Sequence, residues 1–229
     1  MGLGASEKLN EGAAGGGWGN YEERSARLVE AVEIIRRLWT GEHVKLDGRF
    51  WDVDGMLYDP PPSSIPIYIA AGGPKSARVA GIHGDGMITG ASSLKTDNKL
   101  KEAWAGGLRE ADKDTSGGAL MVEHWAFVGD DEEARDAARK WRFIPRAWEH
   151  GYFDNVSPAE IESRAESDVD LEDVLKDWTV SAEPEPHIEA IQELGELGAT
   201  HVAVHVATTS QSKAVDFFGN KVLPALRGA

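Results

Sequence analysis

The chain has 229 residues and carries 24 lysine or arginine against 39 aspartate or glutamate residues, which gives a formal net charge of -15. This charge repels phosphate backbones and anionic lipid, so we expect neither nucleic acid nor a membrane as a partner. The absence of cysteine excludes disulfides, thiolate nucleophiles and cysteine-ligated metal sites. Because the sequence has neither a spanning apolar run nor the apolar region of a secretory signal, we predict a cytoplasmic protein.

The amino end of the chain reads as the exit of a β-strand, since residues 2–7 are Gly-Leu-Gly-Ala-Ser-Glu. A glycine-rich tract follows at residues 12–19. Such a tract is a flexible tail at a true terminus and a mobile substrate-side loop inside a larger domain. Both interpretations stay open at this point.

From residue 21 onward, helical and strand patterns alternate along the chain. The predicted helices cover residues 21–39, 75–83, 94–111, 130–148, 185–197 and 212–226. The predicted strands cover residues 65–70, 87–89, 120–128, 179–182 and 200–206. An insertion at residues 41–62 holds a hairpin of strands 44–46 and 50–53, and an insertion at residues 149–177 holds two short helices.

This order predicts an α/β fold, namely a partial (β/α)8 TIM barrel of about four to five strands in a single domain over residues 1–229. A small open, doubly wound sheet is the alternative. In a half barrel the outermost strands lack partners, so we expect the isolated chain to form a homo-oligomer or to aggregate.

Ligands of parallel α/β folds bind where the strands end, and the first such place is the loop after residue 4. Glu7 supplies a carboxylate there and Asn10 an amide. Glu7 could serve as an acid or base. Composition alone favours the other interpretation, in which Glu7 caps a helix or is solvated.

The second place is the strand end at Gly72 and Gly73, which runs through Pro74 into a helix. Glycines let the main chain approach a phosphate closely, and a helix amino terminus offers unpaired N–H groups. Lys75 or Ser76 could add a side-chain donor. A plain β-to-α connection has the same appearance, so the motif alone does not decide.

Two further strand ends carry polar side chains. Thr89, Ser93 and Lys95 lie at one, and His205, on the alternating strand 200–206, lies at the other. A histidine inside a barrel is more often structural than catalytic. The histidine spacing contains no metal-binding pattern, and the sequence contains no hydrolase elbow, phosphate loop of the Gly-Lys-Ser type or dinucleotide fingerprint.

Several segments, taken in their order, resemble the coenzyme F420-dependent oxidoreductases of the bacterial luciferase-like superfamily, and above all the F420-dependent glucose-6-phosphate dehydrogenase group. The resemblance covers nearly the whole chain. It is carried by Gly-Ala-Ser-Glu-Lys-Leu-Asn-Glu at 4–11, Leu-Trp-Thr-Gly-Glu at 38–42, Phe-Trp at 50–51, Ile-Tyr-Ile-Ala-Ala-Gly-Gly-Pro at 67–74, Ala-Gly at 80–81, Gly-Asp-Gly at 84–86 and Thr-His-Val-Ala-Val-His at 200–205.

The resemblance implies the carboxyl-terminal half of a (β/α)8 barrel that binds F420 at its strand ends, with a hydride passing between a substrate carbon and the deazaflavin. Glu7 matches the acid/base carboxylate of the family. The positions that match its cofactor-binding residues are Ala5, Ser6, Asn10, Gly72, Gly73, Lys75 and Ser76.

Departures from the family pattern are equally informative. The first strands of the family, with a catalytic histidine, an aspartate and a stacking tryptophan, have no counterpart here, which implies an amino-truncated member. The phosphate-binding residues of the sugar-phosphate enzymes are replaced by Gly90, Ser93, Tyr152 or Phe153, and Asp177. Because Asp177 stands in place of an arginine and repels a phosphate, we expect a non-phosphorylated alcohol as the substrate.

Three functional hypotheses follow. The leading one is an F420-dependent oxidoreductase of a small alcohol. The second is an FMN-dependent monooxygenase of the same superfamily, because the fold alone does not choose between flavin and deazaflavin. The third is a non-catalytic half barrel that acts only through association.

Overall fold

The computed structural model describes residues 1–15, 17–115, 117–145, 147, 149–208 and 210–228. The chain divides into two compact units. The first unit comprises Met1–Ser6, Gly16–Thr89 and Thr96–Leu120, and the second comprises Glu7–Gly15, Gly90–Lys95 and Met121–Ala229. That residues 1–229 form a single domain stays a prediction.

Strands and helices alternate along the described residues as the sequence predicts. The strands are β1 (Gly2–Leu3), β2 (Val44–Asp47), β3 (Asp52–Gly55), β4 (Tyr68–Ala70), β5 (Gly86–Gly90), β6 (Ala119–Phe127), β7 (Trp178–Val180) and β8 (His201–Val206). The helices are α1 (Lys8–Ala13), α2 (Tyr21–Leu38), α3 (Pro74–His83), α4 (Ala91–Thr96), α5 (Asn98–Glu110), α6 (Asp131–Arg139), α7 (Pro158–Asp168), α8 (Leu171–Leu175), α9 (Pro184–Glu196), α10 (Gln211–Phe217) and α11 (Leu223–Arg227).

In the first unit, β4 lies between β1 and β5, and both pairings are parallel. Leu3 lies opposite Ile69, and Ile69 lies opposite Met87. Ile69 and Met87 are fully buried. The prediction that residues 2–7 leave a strand is therefore confirmed. Strand 65–70 is shorter than predicted, because Pro66 has no N–H and the N–H of Ile67 donates to the Asp85 carboxylate at 2.8 Å.

Helix α3 is held firmly at its carboxyl end, which helps to fix the position of its first turn after Gly73. Near its carboxyl end it crosses α5 so closely that a Cβ on Gly81 would lie 2.5 Å from the carbonyl oxygen of Trp104. Beyond that crossing, the Lys113 ammonium donates to three carbonyls at this end, including those of Ile82 and Gly84 at 2.8 Å. A cation near the carboxyl end of a helix also interacts favourably with the helix dipole.

Two further predictions are wrong in detail. The second hairpin strand begins at Asp52 instead of Phe50, because Glu30 of α2 accepts hydrogen bonds from the backbone N–H groups of residues 49–51 and holds them in a loop. The predicted helix 94–111 is two helices. Asp97 separates them, since its carboxylate caps α5 by accepting from the N–H groups of residues 99 and 100.

In the second unit, β6 pairs in parallel with both β7 and β8, so that Trp125 lies opposite Trp178 and His205. The strands among the described residues do not close into a barrel. The predicted insertion 149–177 contains the two expected helices, α7 and α8, and Ser157 caps α7 by accepting from the N–H of Glu160 at 3.3 Å.

In the second unit one helix is shorter than predicted, and the last helix spans the predicted range with an interruption. Helix α6 ends at Arg139, and Trp141 turns to pack its edge on Trp125, with 4.8 Å between ring centroids. The end of predicted helix 130–148 at Trp148 lies outside the described residues, as does Arg146. The last helix is interrupted by a π-helical stretch, Phe218–Val222, ahead of Pro224, which lacks the N–H of a regular helix.

His124, on β6, is a buried histidine and should make the fold acid-sensitive. Its Nε2 lies 2.9 Å from Thr179 Oγ1, and its Nδ1 has no hydrogen-bond partner in the described part of the chain. Burial lowers its pKa to about 4, and the nearby charges of Lys95 and His187 act in the same direction, while Glu193 opposes them.

We expect the free energy of unfolding to fall as the pH drops from 6.5 to about 4, by up to about 3 kcal/mol for this group. In that range the unfolded chain binds a proton at His124 that the folded chain does not. Urea unfolding at a series of pH values measures the effect. His124→Gln should reduce the loss of stability on acidification. If the free energy of unfolding of His124→Gln fell with pH as steeply as that of the unaltered protein, His124 would not be the group responsible.

Candidate functional site

The predicted cofactor residues of the first unit meet at one edge of its sheet. Because β1 and β4 are parallel and in register, residues 4–6 and residues 71–73 leave the sheet on the same side. A Cβ on Gly4 would lie 3.4 Å from the Cβ of Ala70, so the two segments run in contact as they leave. The structure therefore brings Ala5 and Ser6 to the same edge as Gly72 and Gly73.

The first turn of α3 forms an open cradle next to Gly73. The Ser76 hydroxyl donates to the Gly73 carbonyl at 2.9 Å and accepts from the Gly73 N–H at 3.3 Å. By helix geometry the N–H groups of Lys75 and Ser76 have no intrahelical partner. A Cβ on Gly73 would meet no atom within 4 Å. The cradle therefore offers backbone donors, the positive end of a helix dipole and free space, which together suit an anion.

The side chain of Lys75 points toward α2. Its Nζ lies 3.2 Å from Glu22 Oε1 in an exposed ion pair, and the ammonium stands 5.7 Å from the ring centroid of Tyr21. Lys75 therefore contributes to the cradle through its backbone N–H.

The backbone of Ser6, at the same edge of the sheet, is strained. Its φ is 60°, which is uncommon for a residue other than glycine and costs about 1–3 kcal/mol.

In the second unit, Glu7 occupies the N-cap position of α1 without capping it through its side chain. Its backbone carbonyl accepts from the N–H groups of Asn10 and Glu11, both at 3.1 Å. The side-chain amide of Asn10 reaches Glu7 Oε2 at 3.5 Å. The Glu7 carboxyl is half-buried, and this burial raises its pKa. A raised pKa favours a group that exchanges a proton near neutral pH.

Glu7 lines a cavity of about 260 Å³ in the second unit. The apolar part of its wall is formed by Leu9, Phe143, Tyr152, Phe153, Pro158, Ile161 and Ala165. The charged part is formed by Glu7, Arg139, Lys140, Arg142 and Glu162. Helix α1 and the insertion 149–177 thus enclose one space, and the apolar surroundings account for the raised pKa of Glu7.

Sequence reasoning missed this cavity. The sequence of α7 could have indicated it, because Ile161 and Ala165 are spaced four residues apart on one helix face, and both are buried. Tyr152 is one of the two positions that replace a phosphate-binding lysine of the sugar-phosphate enzymes. It is buried, and its hydroxyl donates to Asp168 at 3.2 Å. Phe153, the other such position, lines the cavity.

The remaining candidates of the second unit are tied into other contacts. His205 stacks on Trp125 with 3.8 Å between ring centroids, and Trp141 packs its edge on it at 5.0 Å. Lys95 pairs with Glu193 at 2.6 Å. Asp177 is exposed and precedes β7 at its amino end. These contacts favour the structural interpretation of His205.

Two further features of the molecule concern metal ions and membranes. The described residues contain no group of three or more histidine, aspartate or glutamate side chains placed to hold a metal ion. Among the same residues, every helix is too short or too polar to cross a membrane.

Comparison with known proteins identifies the family. Residues 1–201 match the model of the luciferase-like monooxygenase family. The chain belongs to this family. Its α/β luciferase-like fold is confirmed, and the doubly wound alternative is wrong, because a solved F420-dependent secondary alcohol dehydrogenase, in complex with an F420-acetone adduct, superposes with a TM-score of 0.85. That structure is 29% identical, and the match covers 99% of this chain and 69% of the other.

Two curated relatives of this luciferase-like chain are more similar in sequence. The F420-dependent hydroxymycolic acid dehydrogenase of Mycobacterium tuberculosis is 41% identical over 228 residues, which are 99% of this chain and 61% of the relative. The F420-dependent glucose-6-phosphate dehydrogenase of Intrasporangium calvum is 38% identical over 237 residues, which are 100% of this chain and 70% of the relative. The chain therefore spans about two thirds of the length of these relatives.

Proposed function

We propose that the protein is an F420-dependent oxidoreductase that transfers a hydride between an alcohol and the deazaflavin. The observation that carries the proposal is Glu7, a half-buried carboxyl with a raised pKa on the wall of an apolar cavity. The two relatives above are F420-dependent dehydrogenases. The superposed structure contains an F420-acetone adduct, which is consistent with a secondary alcohol as substrate.

The residues present fit the cofactor. The cradle beside Gly73 offers the free space and the N–H donors that a phosphate-bearing tail needs. We assign the tail to Gly72, Gly73, Lys75 and Ser76, backbone contacts to Ala5 and Ser6, and an amide contact to Asn10. F420 supplies the hydride acceptor. Glu7 takes the hydroxyl proton as the alcohol is oxidised to a carbonyl, and it returns a proton in the reverse direction.

The substrate in this proposal is not phosphorylated. Asp177, an exposed carboxylate in place of the family arginine, offers no cationic grip on a phosphate at that position, and the cations of the Glu7 cavity, Arg139, Lys140 and Arg142, lie elsewhere in the chain. The cavity that Glu7 lines is mostly apolar, which suits the hydrocarbon part of an alcohol.

The proposal also includes a cytoplasmic homodimer. Within the described residues, β1 pairs with β4 alone and β8 pairs with β6 alone. Each of these two strands therefore has an edge without a partner among the described residues, at which a further strand of this protein or of another chain can pair.

Titrating F420 with the protein tests the function directly. We expect a saturable change in F420 fluorescence, and F420 reduction when propan-2-ol is added but not when glucose 6-phosphate is added. FMN titrated in the same way is the control for the monooxygenase hypothesis. Binding of FMN in preference to F420 would contradict the proposal, and binding of neither would favour the non-catalytic half barrel.

A further inference from the structure

The wall of the cavity in the second unit combines apolar and charged side chains. Leu9, Phe143 and Ile161 are among the apolar ones. Three cations line the cavity, all from the end of α6 and the residues after it, namely Arg139, Lys140 and Arg142. Two carboxylates, Glu7 and Glu162, line it as well. A ligand that uses both the apolar side chains and the excess of cations carries a hydrocarbon body and an anionic group.

We propose that this cavity binds a hydroxy acid, with its carboxylate on Arg142 and its hydrocarbon chain on the apolar wall. The proposal rests on the proposed function in one respect, namely that Glu7, on the same wall, handles the hydroxyl group. It adds the chemical class of the substrate and the residue that selects it.

Arg142 has the unused donors that such a carboxylate needs. One terminal nitrogen donates to the carbonyl of Glu166 at 3.3 Å, and this is the guanidinium's hydrogen bond within the described residues. Its Nε has no partner there either but is buried, so the donors open to a ligand are those of the terminal nitrogens. Arg142 forms no ion pair with any described carboxylate. A half-buried guanidinium with free donors is suited to bidentate binding of a carboxylate.

The neighbouring charges single out Arg142. Arg139 is exposed and already pairs with Asp136 at 3.4 Å. Lys140 is exposed and has no ion-pair partner in the described part of the chain, so it adds attraction for an anion without a fixed geometry. Glu162 and Glu7 are the opposing charges on the wall. Glu162 is exposed to solvent, which screens it, and burial raises the pKa of Glu7, which favours its neutral form.

The size of the cavity limits the ligand. Its volume of about 260 Å³ is slightly below the roughly 300–1,000 Å³ of most ligand pockets. We therefore expect an acid of short or medium chain length to fit within the cavity.

Calorimetric titration with octanoate and octan-2-ol tests this proposal without F420. We expect octanoate to bind about tenfold more tightly, since it adds a charge-assisted hydrogen bond to the same hydrocarbon contacts. Arg142→Gln, which can still donate to the Glu166 carbonyl, should remove the difference. Arg135→Gln, a change at an exposed arginine of α6 outside the cavity wall, is the matched control and should keep it. Arg142→Lys should keep only part of it, because an ammonium cannot bind a carboxylate in bidentate fashion.

Equal affinities for the two probes in the unaltered protein would overturn the proposal. A preference for octanoate that survives in Arg142→Gln would also overturn it, provided that circular dichroism shows the variant folded. F420 titration of the same samples separates the two proposals. A protein that prefers octanoate through Arg142 but binds no F420 would contradict the proposed function and leave the anion site in place.

Discussion

Glu7→Gln is expected to lower kcat for alcohol oxidation by roughly 10²–10⁴-fold, because glutamine keeps the shape of the side chain but cannot take the hydroxyl proton. F420 affinity should change little, since the cradle beside Gly73 is untouched. Glutamine should also leave the fold intact, because burial of the ionised carboxylate is unfavourable in the first place. Steady-state kinetics together with F420 titration measure both effects.

The pH dependence identifies the role of the carboxyl. Burial raises the pKa of Glu7, so the ionised base is present only above that raised value. The rate of alcohol oxidation should therefore fall as the pH drops through the pKa of Glu7. Because that pKa is raised, the fall should occur at a higher pH than an ordinary glutamate would give. Glu7→Gln should lack this limb, and Glu11→Gln on the same helix should keep it. Turnover within a few-fold of the unaltered protein in Glu7→Gln would exclude the assigned role.

Gly73→Val is expected to weaken F420 binding by roughly 10- to 100-fold with little change in melting temperature. The φ of Gly73 is -165°, an extended conformation that any residue adopts, and a Cβ there meets open space. The fold therefore accepts valine. Its methyl groups would fill the space through which a phosphate approaches the N–H groups of the α3 first turn, at the expense of about 1.5–3 kcal/mol per charge-assisted hydrogen bond.

Gly55→Val is the matched control for this experiment. A Cβ on Gly55 would also meet open space, but Gly55 ends the hairpin strand β3 and takes no part in the cradle. F420 titration and thermal unfolding of both variants are compared with the unaltered protein. If Gly73→Val bound F420 as tightly as Gly55→Val does, the cofactor tail would not lie at this helix start.

Part of the fold and of the candidate site could be read from the sequence because local rules decide it. The helix over residues 21–39 follows from apolar spacing, and the structure has α2 at Tyr21–Leu38. The helix start after Gly73 follows from proline and serine placement, and Ser157 caps α7 for the same kind of reason. The adjacency of residues 4–6 and 71–73 needs only the rule that neighbouring parallel strands end at one edge.

Other features depended on partners that are distant in the chain. The second hairpin strand begins two residues late because Glu30, some twenty residues earlier, accepts hydrogen bonds from the N–H groups of the turn. The strand before Gly72 is shortened by Asp85. Neither contact follows from the local spacing of apolar residues, so that spacing alone placed these boundaries wrongly.

The sequence by itself determined the order of strands and helices, the cradle at the start of α3 and the likeness to F420-dependent enzymes, because spacing, caps and motifs act over a few residues. Only the tertiary structure decided that Glu7 is half-buried and that Arg142 keeps free donors on the same cavity wall. Desolvation and hydrogen-bond satisfaction depend on what packs against a side chain. Here those neighbours, Phe143 and Ile161 among them, lie more than a hundred residues beyond Glu7 in the chain.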